Sequence, residues 1–323
     1  MCTGHTPPLT AEESDQLLGR RGLLKAAAGS AAAVAATGLL ASPAEAAPAA
    51  RAARVPRDRI SIQLYTLRDQ LAADLPGTIA ALRDIGYRRV EHAGFHGRTA
   101  AQFKQILDDN GIRATSGHAG IPQPFDANTW GAALDDAVTL GQRYIVHPLF
   151  GYDFGGGGAV RSASAWQAFA RDLNRAGLMA RRRGISLGYH NHHHEFLPLA
   201  GHPTRTAFDV LTATTDRRYV HLEMDLFWVV RGGRDPVDLI ARLGRRVRQF
   251  HVKDMSATFD PGIPFTDPGK GVIDFRRIFR AGAIARTDEF IVERDDAGVP
   301  PRKPADALTT ARAGYEFLRN VVY

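Results

Sequence analysis

The nine residues at 188–196, Gly-Tyr-His-Asn-His-His-His-Glu-Phe, hold four of the chain's twelve histidines beside a glutamate. Imidazole and carboxylate groups in company can ligate a divalent metal, or they can take up and release a proton near neutral pH. Other residues of these types are spread along the chain: Glu91 and His92, His118, His147, Glu223 to Asp225 with Trp228 just beyond, His251 to Asp254 with Lys253 between, and Glu293 to Asp295. Taken singly, each is as well explained by capping a helix or bonding a loop carbonyl. Chemistry requires a scaffold that collects them.

The surrounding sequence predicts that scaffold. From residue 60, short strand-like runs alternate with helical patterns. The strands are expected over 60–66, 88–94, 112–118, 144–150, 185–191, 219–225, 247–254 and 289–295. The helices that follow them are expected over 75–86, 99–111, 129–141, 163–183, 204–214, 236–244, 274–282 and 306–320. Apolar residues recur at three-to-four spacing in the helices, and several end in glycine: Gly86, Gly111, Gly141, Gly184, Gly244 and Gly282. Eight strand–helix units imply parallel strands closed into a single-domain α/β (β/α)8 TIM barrel over residues 58–323. An open doubly wound sheet lacks its Gly-rich phosphate loop after a strand.

A barrel aims the C-terminal ends of its strands at one mouth. The fifth to eighth strands end in Glu, Asp, His and Glu. Three carboxylates converging without a cation would repel one another, and a bound divalent metal resolves the conflict. Oxygen-rich ligation with an imidazole suits Mn²⁺, Mg²⁺, Co²⁺ or Zn²⁺. Strand alternation puts His190 and His192 on one face with Asn191 turned away, and leaves His193 and His194 as loop residues at the rim. A surface copper or nickel patch is the rival reading of the histidine run; it gives Asp225 and Glu293 no part.

Gly-Tyr-His-Asn-His-His-His-Glu-Phe, Glu-Met-Asp-Leu-Phe-Trp-Val, Phe-His-Val-Lys-Asp and Ile-Val-Glu-Arg-Asp, in that order, resemble the sugar phosphate isomerase/epimerase group of xylose-isomerase-like TIM barrels. The resemblance covers about residues 58–322. It implies a divalent metal, Mn²⁺ first, held by Glu195, Asp225, His251 and Glu293. Many relatives place the strand-5 glutamate where this chain has His190, so either Glu195 folds back to the metal or His190 takes its place. The implied chemistry is proton removal from carbon next to a carbonyl, through a metal-stabilised enediolate. The proton is then returned (isomerisation, epimerisation), or a β-leaving group departs (lyase, dehydratase). Glu195 and Glu293 would double as base, while Lys253 and His118 stabilise the oxyanion or shuttle protons. His190, His192, Tyr65, Glu91 and Trp228 would bind the sugar, Trp228 as an apolar wall. The 254–273 segment, rich in Pro and Gly, is long enough to be a lid.

Composition narrows the classes. The chain has 323 residues and a formal charge of +7, with the basic residues dispersed, which argues against nucleic acid as partner. An endonuclease-IV-like phosphodiesterase shares the barrel but needs a larger histidine cluster and a basic groove. A carbohydrate-binding barrel without catalysis is the alternative of another class. Arg20-Arg21-Gly22-Leu23-Leu24-Lys25, an Ala-rich stretch and Ala44-Glu45-Ala46 read as a twin-arginine export signal over 1–46, with a disordered leader over 47–57. The stretch over 26–41 is too short and too weakly apolar to span a membrane. The sole cysteine, Cys2, falls inside the signal, so the exported protein would have neither disulfide nor thiolate ligand. Export favours a free sugar or keto-sugar over a phosphorylated one.

Overall fold

Polar residues that can hold a backbone N–H punctuate the chain, and they fix where most of the helices start. In a computed structural model, which describes residues 52–153, 157–260 and 263–323, Thr99, Asp126, Ser162, Thr206, Asp235 and Asp274 each cap a helix through a side-chain oxygen. Besides the short helices Arg68–Ala73 and Leu226–Arg231, the helices that follow the strands are α1 (Leu75–Ile85), α2 (Ala100–Asp109), α3 (Ala127–Leu140), α4 (Ala163–Arg182), α5 (Ala207–Thr214), α6 (Pro236–Leu243), α7 (Phe275–Ala285) and α8 (Asp306–Asn320). They alternate with strands β1 (Ile60–Ile62), β2 (Arg89–His92), β3 (Arg113–Gly117), β4 (Tyr144–His147), β5 (Ser186–His190), β6 (Val220–Asp225), β7 (Val247–Val252) and β8 (Glu289–Val292).

Six strands form one parallel sheet in the order β1-β8-β7-β6-β5-β4, and β2 pairs with β3. Single parallel bridges, Gln63 to Glu91 and His118 to Val146, join the two sheets into a ring. This is the expected TIM barrel. Its outward strand faces, such as Leu187, Tyr189, Leu222, Met224, Phe250 and Val252, are buried under the helices. The lumen differs from the usual stack of branched aliphatics: Ser61, Gln63, Glu91, Ser116, His221, Glu223, Gln249, His251 and Glu289 are all buried. Most of them are kept by hydrogen bonds within the layer, while the Ser61 hydroxyl has no partner among the described residues. Ser116 Oγ donates to Glu91 Oε2 at 2.6 Å, Gln249 Nε2 to Ser116 Oγ at 3.0 Å, and Thr115 Oγ1 to Glu289 Oε1 at 2.5 Å.

Several boundaries differ from the expectation. The first strand stops at Ile62 because Gln63 caps a tight turn over Leu64–Leu67, its Oε1 accepting the Tyr65 N–H. Gly141 ends α3 at φ 69°, a cap only glycine takes without strain. Gly282 terminates nothing: α7 runs on to Ala285, with Arg286 in the left-handed conformation. Gly282 is there for closeness, since a Cβ would come within 2.5 Å of the Phe250 ring. The expected lid carries a β-hairpin, Asp254–Asp260 with Ile263–Thr266. Residues 198–206, partly assigned to a helix, form a two-strand turn ahead of α5. Ala53 and Arg54, expected in the leader, pair with Tyr323 and Val322. The expected export signal over 1–46 lies outside the described residues. No helix among the described residues is long and apolar enough to cross a membrane.

One glycine sets helix–strand spacing. A Cβ at Gly177 would lie 2.5 Å from the carbonyl oxygen of Tyr219, backbone that cannot swing aside. Gly177→Ala is therefore expected to destabilise by about 1–3 kcal/mol through overpacking, despite alanine's better helix propensity. Chemical denaturation with an unchanged m-value would check it.

Candidate metal centre and active site

Register brings the site together. Glu223 lies opposite His190 across β5 and β6, and Asp225 lies opposite His251 across β6 and β7. The second pairing depends on a bulge: Leu222 faces Val247, but Glu223 faces Gln249, leaving Arg248 as one extra residue. In straight register Asp225 would face Phe250, a residue of the opposite strand face.

One donor atom each from His190, Asp225, His251 and Glu293 lies within 4.8 Å of the others. His251 Nδ1 is 2.6 Å from Glu293 Oε2, and His190 Nε2 is 3.7 Å from Asp225 Oδ2. The far nitrogens of both rings are held by a second tier. His190 Nδ1 is 3.0 Å from Glu223 Oε1, and His251 Nε2 is 2.7 Å from Glu91 Oε1 and 2.9 Å from Glu223 Oε1. A carboxylate behind each imidazole fixes its orientation and raises its basicity, the support a metal-ligating histidine requires. Lys253 Nζ sits among three acids, 3.0 Å from Asp225 Oδ2, 2.9 Å from Glu293 Oε2 and 2.8 Å from Asp295 Oδ1.

The electrostatics follow from this crowding. Burial pushes the Asp225 carboxyl up to about 6, against the pull of Lys253 and His251. Burial alone would lower His251, but Glu223, Glu293 and Glu91 outweigh it and hold the ring well above its ordinary value. His118 is raised to about 10: burial opposes this, and Glu91 and Glu223 prevail. Glu293 is held well below the carboxylate range because Lys253 and His251 outweigh its burial.

The residues fit a divalent cation. The donors are two carboxylate oxygens and two imidazole nitrogens, a set suited to Mn²⁺, Co²⁺ or Zn²⁺. Glu223 Oε2 is buried without a hydrogen bond, as is Asp225 Oδ2 despite the nearby ammonium. Glu91, Glu223, Asp225, Glu293 and Asp295 crowd around one lysine and the imidazoles, so positive charge is in deficit. A ligating His251 must be neutral, which deepens the deficit that a divalent ion would fill.

Each expected site residue has a definite place. Asp225, His251, Glu293, His190 and Lys253 meet in this cluster. His118 adjoins it, with Nε2 2.9 Å from Glu223 and 3.1 Å from Glu91. Glu195, expected as a ligand and base, lies apart from the cluster. It turns into a short helix, where Tyr189 donates to Oε1 at 2.6 Å and the His192 backbone donates to Oε2 at 2.9 Å. The strand-5 position in the cluster is therefore filled by His190. Glu91, expected to bind substrate, is fully buried and already engaged by Gln63, Ser116, His118 and His251. His192 does flank the cluster: its ring is 4.9 Å from His190 and 5.4 Å from Trp228, and its Nδ1 has no partner among the described residues. Trp228 is buried, with Lys253 Nζ 5.6 Å from its ring centre and Phe265 of the hairpin against it at 5.9 Å. Tyr65 stands on the turn beyond β1 beneath the Arg68 guanidinium. His194, expected at the rim, is buried, its Nε2 2.8 Å from the Phe150 carbonyl.

Glu223 and Asp295, strand-end acids for which the sequence suggests no role, belong to the site. Strand alternation could have found Glu223, two residues before Asp225 on the same face. Asp295 stands two residues after Glu293 in the same way.

The chain belongs to the family described as xylose isomerase-like TIM barrel, whose pattern matches residues 79–321. Inosose dehydratase of Geobacillus kaustophilus (strain HTA426) is 33% identical over 179 residues, 50% of this chain and 54% of that protein. The chain spans about half or less of the length of the curated relatives it matches. A sugar phosphate isomerase/epimerase structure from Parabacteroides distasonis ATCC 8503 superposes with a TM-score of 0.67 at 22% identity, covering 86% of this chain and 98% of that one. A structure described as the IOLI protein with a binding zinc atom superposes with a TM-score of 0.62 at 14% identity, covering 80% and 97%. At these identities both structures speak to the fold.

Proposed function

We infer that the protein is a divalent-metal-dependent enzyme that removes a proton from carbon next to a carbonyl in a polyhydroxylated keto-sugar or inosose. The observation that carries this is the meeting of His190, Asp225, His251 and Glu293 beside Lys253 at one end of the barrel. A cation held by those four residues supplies Lewis acidity toward the substrate's carbonyl and neighbouring hydroxyl. Mn²⁺ is the first candidate, and the zinc of one structural neighbour supports Zn²⁺ as well.

The chain's own groups divide the remaining work. Lys253, raised well above its ordinary value because its three acidic neighbours outweigh burial, carries a proton and stabilises negative charge developing on the substrate oxygen. His192, whose Nδ1 has no partner among the described residues and whose ring burial keeps neutral, would accept the carbon-bound proton. Glu195 positions it through the His192 N–H and is itself tied down by Tyr189. Trp228 and Phe265 keep water from the site, which strengthens every charge interaction inside it.

The similarity to inosose dehydratases favours loss of a β-hydroxyl after deprotonation. The likeness to the isomerase/epimerase structure keeps proton return as a second outcome. The twin-arginine reading of the first 46 residues supports a non-phosphorylated substrate met outside the cytoplasm. Incubation of inosose and free keto-sugars with protein and Mn²⁺ in D₂O, followed by NMR, separates the outcomes. Elimination gives a product lacking one hydroxyl, and epimerisation gives intact sugar deuterated at one carbon. No turnover and no exchange with metal bound would reject the enzymatic reading and leave a sugar-binding barrel.

A further inference from the structure

The N-terminal ends of the barrel strands usually serve stability. Here like charges converge. A cavity of about 580 Å³ is lined by Arg54, Arg59, Arg143, Arg245, Arg248 and Arg286. Among the lining residues one side-chain carboxylate, Asp288, faces them. It is shared between Arg143 at 3.4 Å and the Tyr144 hydroxyl at 2.7 Å. Arg54 and Arg59 donate to the carbonyls of Asn320 and Thr287, and Arg248 donates to Ser186 Oγ; these bonds aim the guanidinium groups without neutralising them. The side chains of Arg245 and Arg286 make no hydrogen bond or ion pair with the described residues. Thr287, in the cavity wall, is buried with its hydroxyl lacking a partner among the described residues. A smaller hollow of about 290 Å³ shares Arg248 and adds Arg181, Arg217 and Arg218.

Charges of one sign in a concavity repel unless a counter-ion joins them, and guanidinium forks pair best with phosphate oxygens, two bonds at a time. The volume suits one small molecule rather than a flat polymer contact. We propose that this face carries a second binding site, separate from the metal centre, for a small molecule bearing two or more phosphate groups. It does not rest on the proposed reaction.

Isothermal titration of the full chain with 2,3-bisphosphoglycerate, which has no ketone to be enolised, tests the assignment. At about 150 mM salt, where loose surface attraction is screened, the expected result is saturable one-to-one binding, with glycerol 3-phosphate clearly weaker. The double variant Arg245→Gln, Arg286→Gln removes the two arginines that bond nothing else. It is expected to weaken binding about ten-fold or more while leaving metal content unchanged. Three results overturn the proposal: no saturable binding, equal affinity of the double variant, or binding to phosphatidylglycerol vesicles without binding to the bisphosphate.

Discussion

Glu293→Gln is expected to abolish turnover, by about a thousand-fold or more in kcat/KM, while the barrel still folds. The substitution keeps the side chain's shape and removes one negative charge. That charge lies 2.6 Å from His251 and 2.9 Å from Lys253, and in the site it would face the cation. Without it the metal loses an anionic ligand, and Lys253 loses one of the three acids that fix its ammonium. The loss should appear first in metal binding. Wild-type protein at a hundred times the metal's dissociation constant gains about 2.7 kcal/mol of stability. The variant should gain nearly nothing at the same Mn²⁺ concentration. Melting curves with and without metal, together with metal content after dialysis, read this independently of any substrate. A variant that retains both metal-induced stabilisation and deuterium exchange would remove Glu293 from the centre.

Acid should destabilise the protein at a pH above that at which its exposed carboxylates are protonated. His147 and His221 are both lowered to about 4, burial being the larger cause in each. The hydrogen bonds of His147 need the neutral ring: Nδ1 accepts the Ile121 N–H at 3.0 Å, and Nε2 donates to the Leu149 carbonyl at 2.7 Å. The sign is as follows. Between pH 6.5 and 4 the unfolded chain protonates these histidines and the folded chain does not, so the unfolded state holds more protons. Stability therefore rises with pH across that window and falls as pH drops through it. Each ring costs about 2 kcal/mol by pH 5. Glu289, raised to about 7 chiefly by burial, works the other way: the folded state holds its proton where the unfolded chain has lost it, which offsets one histidine's share. The midpoint for denaturant unfolding should thus drop between pH 6.5 and 5. The double variant His147→Gln, His221→Gln should flatten the slope, even if its stability at pH 7 is lower. An unchanged slope would mean that other groups dominate.

Much of the architecture was legible because each level of the sequence agreed with the next. Caps, apolar spacing and strand runs all pointed to the same eight units. The strand-end residues were legible too, since a barrel leaves few other directions for Asp225, His251 and Glu293. What escaped was whatever depended on the path beyond a strand's last pair. Nothing in the alternation pattern announces that the chain coils at His194, so that Glu195 turns toward the outward-facing Tyr189 instead of the lumen. Gly282 carried a helix-stop signal, yet its cause was an aromatic ring contributed by a strand thirty-two residues earlier. Glu91 looked like a substrate contact because its four partners come from three separate segments, a convergence no local spacing reveals.

The extra residue at Arg248 acts as a phase shifter between scaffold and chemistry. Upstream of it, β6 and β7 pair in one frame; downstream, every inward side chain of β7 has advanced by one step against its neighbour. Pairing straightened with Arg248 retained would leave the hydrophobic outer shell able to close while setting Asp225 against the Phe250 ring, whereas removing Arg248 altogether keeps Asp225 opposite His251. Within a shared barrel, a one-step slip in the lower half of a strand can therefore switch the mouth between reactive and inert, with no liganding side chain altered.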